Sequence, residues 1–309
     1  MPQTIIDKTI LEAMDLERFK ASNVRSVMVV LNKLSKDIYS TIIGIDTNNP
    51  KDINTSIRKI NTKIDNTFKK VERMLSREHK KLVKHIVSQE DKSLDGSLGN
   101  KGVDTAVATV LSSFVLGEKL NKHLTKISRN TKSSISSAIR NGVVNNENIS
   151  VISQKVRGTR SRRFRDGLFN RTLTDMDATI RTAIQTYVNR GKQFVWKLNG
   201  VERYIWISTL DSSTTSICWR RSNKIFNVGS GPIPPAHYRC RSSIAPYTKG
   251  MRVPKSFGEW LRTQPRGVVN EVLGKKKAGM FLNGNMSINK FTTPKGRELT
   301  LEELRRRAQ

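Results

Sequence analysis

Between Ile53 and Ile86 the apolar residues stand at Ile53, Ile57, Ile60, Ile64, Phe68, Val71, Leu75, Leu82 and Ile86, in steps of 4, 3, 4, 4, 3, 4, 7 and 4. Those steps trace one stripe on a helix of 3.6 residues per turn. A helix this long, with one apolar face, is stable only if that face is covered, so the chain must fold around helix packing. Leu16, Phe19, Val27, Leu31, Leu34, Ile38 and Ile42 predict a helix before it, and Asn48-Asn49-Pro50 predicts the turn between the two. A polar stretch at Ser93–Gly102 ends the second helix, and Val103, Val107, Leu111, Phe114, Leu120, Leu124 and Ile127 predict that helix resumes over residues 103–140. His79, His85 and His123 lie on these helices and are read as surface or packing residues.

Charge restricts the partners. The 309 residues carry 56 Lys and Arg against 26 Asp and Glu, a formal net charge of +30. Self-repulsion on that scale disfavours a compact state unless an anionic partner screens it, so ordinary metabolic enzymes are excluded first. Residues 1–100 hold +5, residues 101–200 hold +12 and residues 201–309 hold +13. The densest run has Lys155, Arg157, Arg160, Arg162, Arg163, Arg165 and Arg171 against Asp166 alone. Arginine's planar fork matches phosphate oxygens two at a time. With only 6% aromatic residues, the run is read as carrying no stacking platform for single strands. Sequence-insensitive contact with the backbone of double-stranded DNA is the expected role.

Other classes lack their marks. No basic, apolar N-terminal leader is read, and no apolar run approaches the ~20 residues of a membrane span. A reducing cytoplasm is the expected place of synthesis. The chain has no GxxxxGK[ST], GxGxxG, HExxH or GxSxG motif.

After residue 172 the texture changes. Thr174-Asp175 is read as the start of a helix that Gly191 closes after Arg190. Phe194–Leu198 and Tyr204–Ser208 are β-rich runs around Asn199-Gly200, a two-residue hairpin signal. Lys224–Val228 and Arg239–Tyr247 are candidate strands. The expected class is therefore α+β: an elongated, mostly helical arm over 1–140, a basic linker of loop or short helices over 141–172, a small α+β domain over 173–250, and an extended tail over 251–309.

That small domain holds both cysteines and the fourth histidine. His237-x-x-Cys240 follows Pro234-Pro235, Cys218 lies 22 residues before Cys240, and Asp211 lies upstream of both. Thiolate and imidazole suit zinc, and Asp211 is the candidate fourth ligand. Inert packing of the three side chains and a Cys218–Cys240 disulfide are the other readings.

The string Arg181-Thr182, Tyr204-Ile-Trp206, Leu210-Asp211, Cys218 and Pro234-Pro235-x-His237-x-x-Cys240-Arg241 resembles the phage Mu F-like family of minor head, or head-morphogenesis, proteins. Phe257-Gly-Glu-Trp260-Leu261, Leu273-Gly274 and Leu299-Thr-Leu-Glu-Glu-Leu304 are similar to the tail of many members, so the resemblance covers residues ~170–304. Members often carry further thiols where this chain has Thr215 and Ser242. The resemblance implies a non-enzymatic minor virion component, assembled in the host cytoplasm. It would associate with portal, capsid or scaffold proteins inside the head and accompany packaged DNA. The alternative is a metal-dependent DNA-processing enzyme, a nuclease using Asp211, His237 and Cys240.

Overall fold

The computed structural model describes residues 4–208, 214–251 and 257–283, with residues 302, 303 and 306. The chain divides into two compact units. One comprises Met14–Gly200 with Ile233–Cys240; the other comprises Met1–Ala13, Val201–Pro232 and Arg241–Gln309. Helix α1 (Ile5–Ile43) begins in the second and continues in the first.

Most of the helical unit is built on the stripe. Helix α2 spans Pro50–Ser93. Its start is set chemically: the Asn49 side chain accepts hydrogen bonds from the amides of Lys51 (3.0 Å) and Asp52 (3.3 Å), and Pro50 supplies a first helical position that needs no N–H. Ile53, Ile57, Ile60, Ile64, Phe68, Val71 and Leu75 are all buried. Beyond Leu75 the buried line continues through His79, Val83 and Val87, while Leu82 and Ile86 are only half-buried at its margin. The expected step of seven from Leu75 to Leu82 is thus replaced by steps of four, and a histidine enters the apolar row.

The expected single helix over 103–140 is two: α3 (Asn100–Leu111) and α4 (Leu120–Val144). Phe114, counted in the apolar pattern, lies in the connection and is 61% exposed. Val115 is buried there instead, and its carbonyl sits 2.7 Å from Nε2 of the buried His123. Helix α5 (Ile149–Arg157) and helix α6 (Leu168–Leu198) complete the unit, with α6 packed on α2, α3, α4 and α5.

Helix α6 corrects two expectations. Gly191 does not close it, and Phe194–Leu198 is its last turn rather than the first strand of a hairpin. The reason is tertiary. Val195 and Trp196 are buried while Lys197 and Leu198 are exposed, and the Trp196 indole N–H donates to Glu90 of α2 at 2.9 Å. Lys192 reaches the same carboxylate at 3.1 Å. Local β propensity yields to that one-sided burial. Asn199-Gly200 then ends the helix, with Gly200 at φ 71°.

In the second unit three antiparallel strands run in the order β2-β1-β3: β1 (Arg203–Ile207), β2 (Ile225–Asn227) and β3 (Ser243–Pro246). Tyr204 faces Phe226 and Pro246, and Ile205 faces Ile225 and Ala245. Alternation places Ile205 and Ile207 in a cluster with Ala245 and Ile6. Tyr204 and Trp206, on the other face, pack around Phe226 at 5.8 and 6.5 Å between centroids. Helix α7 (Ser216–Arg221) follows β1 in the chain. The expected extended tail is instead helical where it is described: α8 (Phe257–Thr263), α9 (Arg266–Leu273) and α10 (Lys275–Leu282). Trp260, Leu261, Val269, Ala278 and Phe281 are buried. The Trp260 indole donates to Asp7 at 2.7 Å and Gln264 donates to the same oxygen at 3.0 Å, so this segment is held by the beginning of α1.

Candidate functional site

Two of the sequence-selected features take a defined form. The first is the Cys-His group. Cys218, on α7, and Cys240 are buried and form no disulfide, so the disulfide reading is not realised. His237 is half-buried. His237 and Cys240, on one turn of the helical unit, offer ligand atoms within 4.8 Å of one another, so the pair could contribute to a metal site. His237 Nδ1 is 2.8 Å from the Tyr238 carbonyl. A carbonyl only accepts, so Nδ1 carries the proton and Nε2 keeps its lone pair, the tautomer a backbone-oriented metal-binding histidine adopts. A thiolate beside an imidazole favours a soft, borderline ion such as zinc over magnesium. Asp211, the expected fourth ligand, lies outside the described residues.

Ser242, where the resemblance read from the sequence would place a thiol, is buried and its hydroxyl is 3.2 Å from that of Ser208. Ser208 in turn donates to the Cys218 carbonyl at 2.9 Å and accepts from the Trp206 indole at 3.0 Å. A hydroxyl network therefore occupies that position. Thr215 is exposed.

Arg239 anchors the turn that carries His237 and Cys240. Its φ is 58°, and its amide donates to Thr182 of α6 at 3.0 Å. Its guanidinium bonds Asp177 at 2.8 Å and the Thr174 carbonyl at 3.0 Å. Asp177 also accepts from Arg181 at 2.8 Å, and Arg181 lies 3.6 Å from Glu17. Glu17 pairs with the buried Lys20 at 2.6 Å, and Lys20 also bonds Gln185. Burial pulls the Lys20 ammonium below its ordinary value, opposed by the charge of Glu17. The Arg181-Thr182 pair, to which the sequence assigns no role, thus holds the turn: Thr182 directly, and Arg181 through the shared carboxylate.

The second feature is the arginine run, which becomes a closed loop between α5 and α6. Gly158 has φ 94°, and a Cβ on Gly167 would collide with the backbone of Arg157 and Gly158. The two ends touch, and only glycine allows that approach. Asp166 ties the loop: its carboxylate accepts from the Thr159 amide at 2.8 Å and from the Thr159 hydroxyl at 2.7 Å. Those bonds hold the Asp166 carboxyl below the ordinary range. Arg160, Arg162, Arg163 and Arg165 are exposed on this loop. The remaining candidates are more engaged. Lys155 pairs with Glu147, Arg171 is 3.9 Å from Asp175, and Arg157 is half-buried. The Arg157 guanidinium lies 4.9 Å from the Tyr39 ring centroid and 4.5 Å from that of Phe164. Two aromatic rings thus pack on one arginine of the run. Phe164 was visible inside the run, but Tyr39, on α1, carried no local signal.

No described helix is long and apolar enough to cross a membrane. No family model matches the chain, and neither a curated protein nor a solved structure matches it.

Proposed function

We propose that the chain is a minor head protein of a phage particle, associated with the portal or the capsid interior, and that its arginine loop faces packaged double-stranded DNA. The observation that carries the DNA contact is the closed loop itself: four exposed arginines, with the loop's one carboxylate engaged by the Thr159 amide and hydroxyl. A loop closed on itself holds these charges at fixed spacing, which favours backbone contact and gives no base readout. The +12 of residues 101–200 and +13 of residues 201–309 suit the dense polyanion inside a head.

The head-protein part rests on the Asp211…Cys218…Pro234-Pro235-x-His237-x-x-Cys240-Arg241 string and its resemblance to Mu F-like proteins. The role is non-enzymatic. His237 and Cys240 would contribute an imidazole and a thiolate to a zinc site that braces the turn at Arg239. Portal, capsid or scaffold proteins are the proposed protein partners. The test is deletion of the gene from a phage lineage carrying it, followed by electron microscopy and genome quantification of the particles. Malformed or underfilled heads with lost infectivity are expected; normal heads with normal genome content and infectivity would refute the reading.

A further inference from the structure

The base of the arginine loop holds an open concavity of about 400 Å³, lined among others by Tyr39 of α1, Gln154 and Arg157 of α5, and Thr159, Arg160 and Phe164 of the loop. Among the described residues no carboxylate lines it. Asp166, the acid of the loop, spends its carboxylate on the Thr159 amide and hydroxyl. Arg157 is the floor. Its guanidinium lies over the rings of Tyr39 and Phe164, at 4.9 and 4.5 Å from their centroids. A planar cation stacked between rings has lost most of its rotational freedom before any ligand arrives, which lowers the cost of a bidentate contact.

The backbone is strained to build this arrangement. Arg163 and Phe164 adopt φ 52° and 61°, a left-handed pair that bulky residues rarely occupy. The reversal brings the Phe164 ring back onto Arg157. Around the stacked guanidinium stand a second, exposed guanidinium from Arg160 and the exposed amide of Gln154. Donors from three side chains, a net positive lining and no facing acid describe a seat for a tetrahedral oxyanion.

We propose that this concavity seats one phosphodiester of a nucleic-acid backbone, held by Arg157 with Arg160 and Gln154, and that the exposed Arg162, Arg163 and Arg165 contact neighbouring phosphates. The inference rests on the reading that the loop meets DNA and adds to it a single built subsite. Arg157 binds as a fork already packed on two rings, and the other three present exposed charges from the loop.

The test uses the full-length chain, a 30-base-pair duplex of arbitrary sequence and fluorescence anisotropy across a chloride series. Arg157→Ala should lower the slope of log K against log [salt] by about 0.9, and so weaken binding about eightfold at 0.1 M salt, equally for unrelated sequences. Arg157→Lys keeps the charge and should restore the slope while leaving the affinity below that of the parent, because the stacked fork is absent. The Arg162→Ala/Arg163→Ala/Arg165→Ala variant tests the wider reading separately. If it weakens binding while Arg157→Ala and Arg157→Lys match the parent, the DNA contact stands and the seat is refuted. If the parent itself shows no salt-dependent binding, both fail. Inorganic phosphate at constant ionic strength provides the remaining arm. Competition with the duplex that Arg157→Lys abolishes supports the seat; phosphate binding by a chain that ignores the duplex would overturn the backbone assignment. Should Arg157→Ala unfold, seen as lost helical circular dichroism, Gln154→Ala and Arg157→Lys decide the matter alone.

Discussion

His79 offers a direct test of the helical packing. It sits in the apolar row of α2 between Leu75 and Val83, 1% exposed, and neither ring nitrogen has a hydrogen-bond partner among the described residues. Its ring meets that of Tyr187 of α6 edge-on at 5.3 Å. Burial pushes the imidazole down from its ordinary 6.5 to about 4, opposed weakly by Glu78. The unfolded chain therefore takes up a proton as the pH falls below 6.5, while the folded chain resists until about 4. Stability is intact above the unfolded value and is lost as the pH drops through that window.

Between pH 7 and pH 5 this one group should cost about 2 kcal/mol, rising to about 3 kcal/mol near pH 4. His79→Leu removes both the titration and two unpaired polar atoms at nearly constant volume. It should stabilise the fold at pH 7 by roughly 1–3 kcal/mol. Its advantage should then grow by about 2 kcal/mol on going to pH 5, or about 4–8 °C in Tm for a unit of this size. Thermal and urea melts of the parent and the variant at pH 7 and pH 5 measure this. Other acid-sensitive groups, common to both proteins, cancel in the difference. An equal loss of stability in the two proteins between pH 7 and pH 5 would refute the burial argument.

Two further outcomes are expected. The purified chain, refolded with zinc under reducing conditions, should retain close to one ion per chain by elemental analysis, and Cys240→Ser or Cys218→Ser should lose it; equal metal content in parent and variants would show that the group packs without an ion. Replacing Arg160, Arg162, Arg163 and Arg165 together by Ala should flatten the salt dependence of duplex binding by about 3–4 units of log–log slope, since each phosphate contact contributes about 0.9. An unchanged slope would move the DNA-facing surface elsewhere.

The helices legible in the chain are those whose burial is periodic. Ile53 through Leu75 lie buried at the helical spacing read from the sequence, and Asn49-Pro50 starts α2 by local chemistry alone. Where a single segment must choose between two structures, local signals mislead. Phe194–Leu198 has β propensity, yet α6 runs through it because Trp196 reaches Glu90. The tail is expected to be extended, but Trp260 donates to Asp7 and the described segment is helical.

The site follows the same division. Which residues could meet phosphate or zinc was plain from composition and spacing: the Lys155–Arg171 run, and Cys218, His237 and Cys240. How each is presented was not. The sequence by itself determined a helix-dominated α+β chain, the segments that carry its positive charge, and the residue types able to bind metal, because periodicity, charge and donor chemistry are local properties. Tertiary structure alone decided that Arg157 is fixed under Tyr39 and Phe164, that Arg239 pins the His237–Cys240 turn to Thr182 and Asp177, and that His79 is stripped of water. Each depends on a partner distant along the chain, and only packing brings such partners within reach.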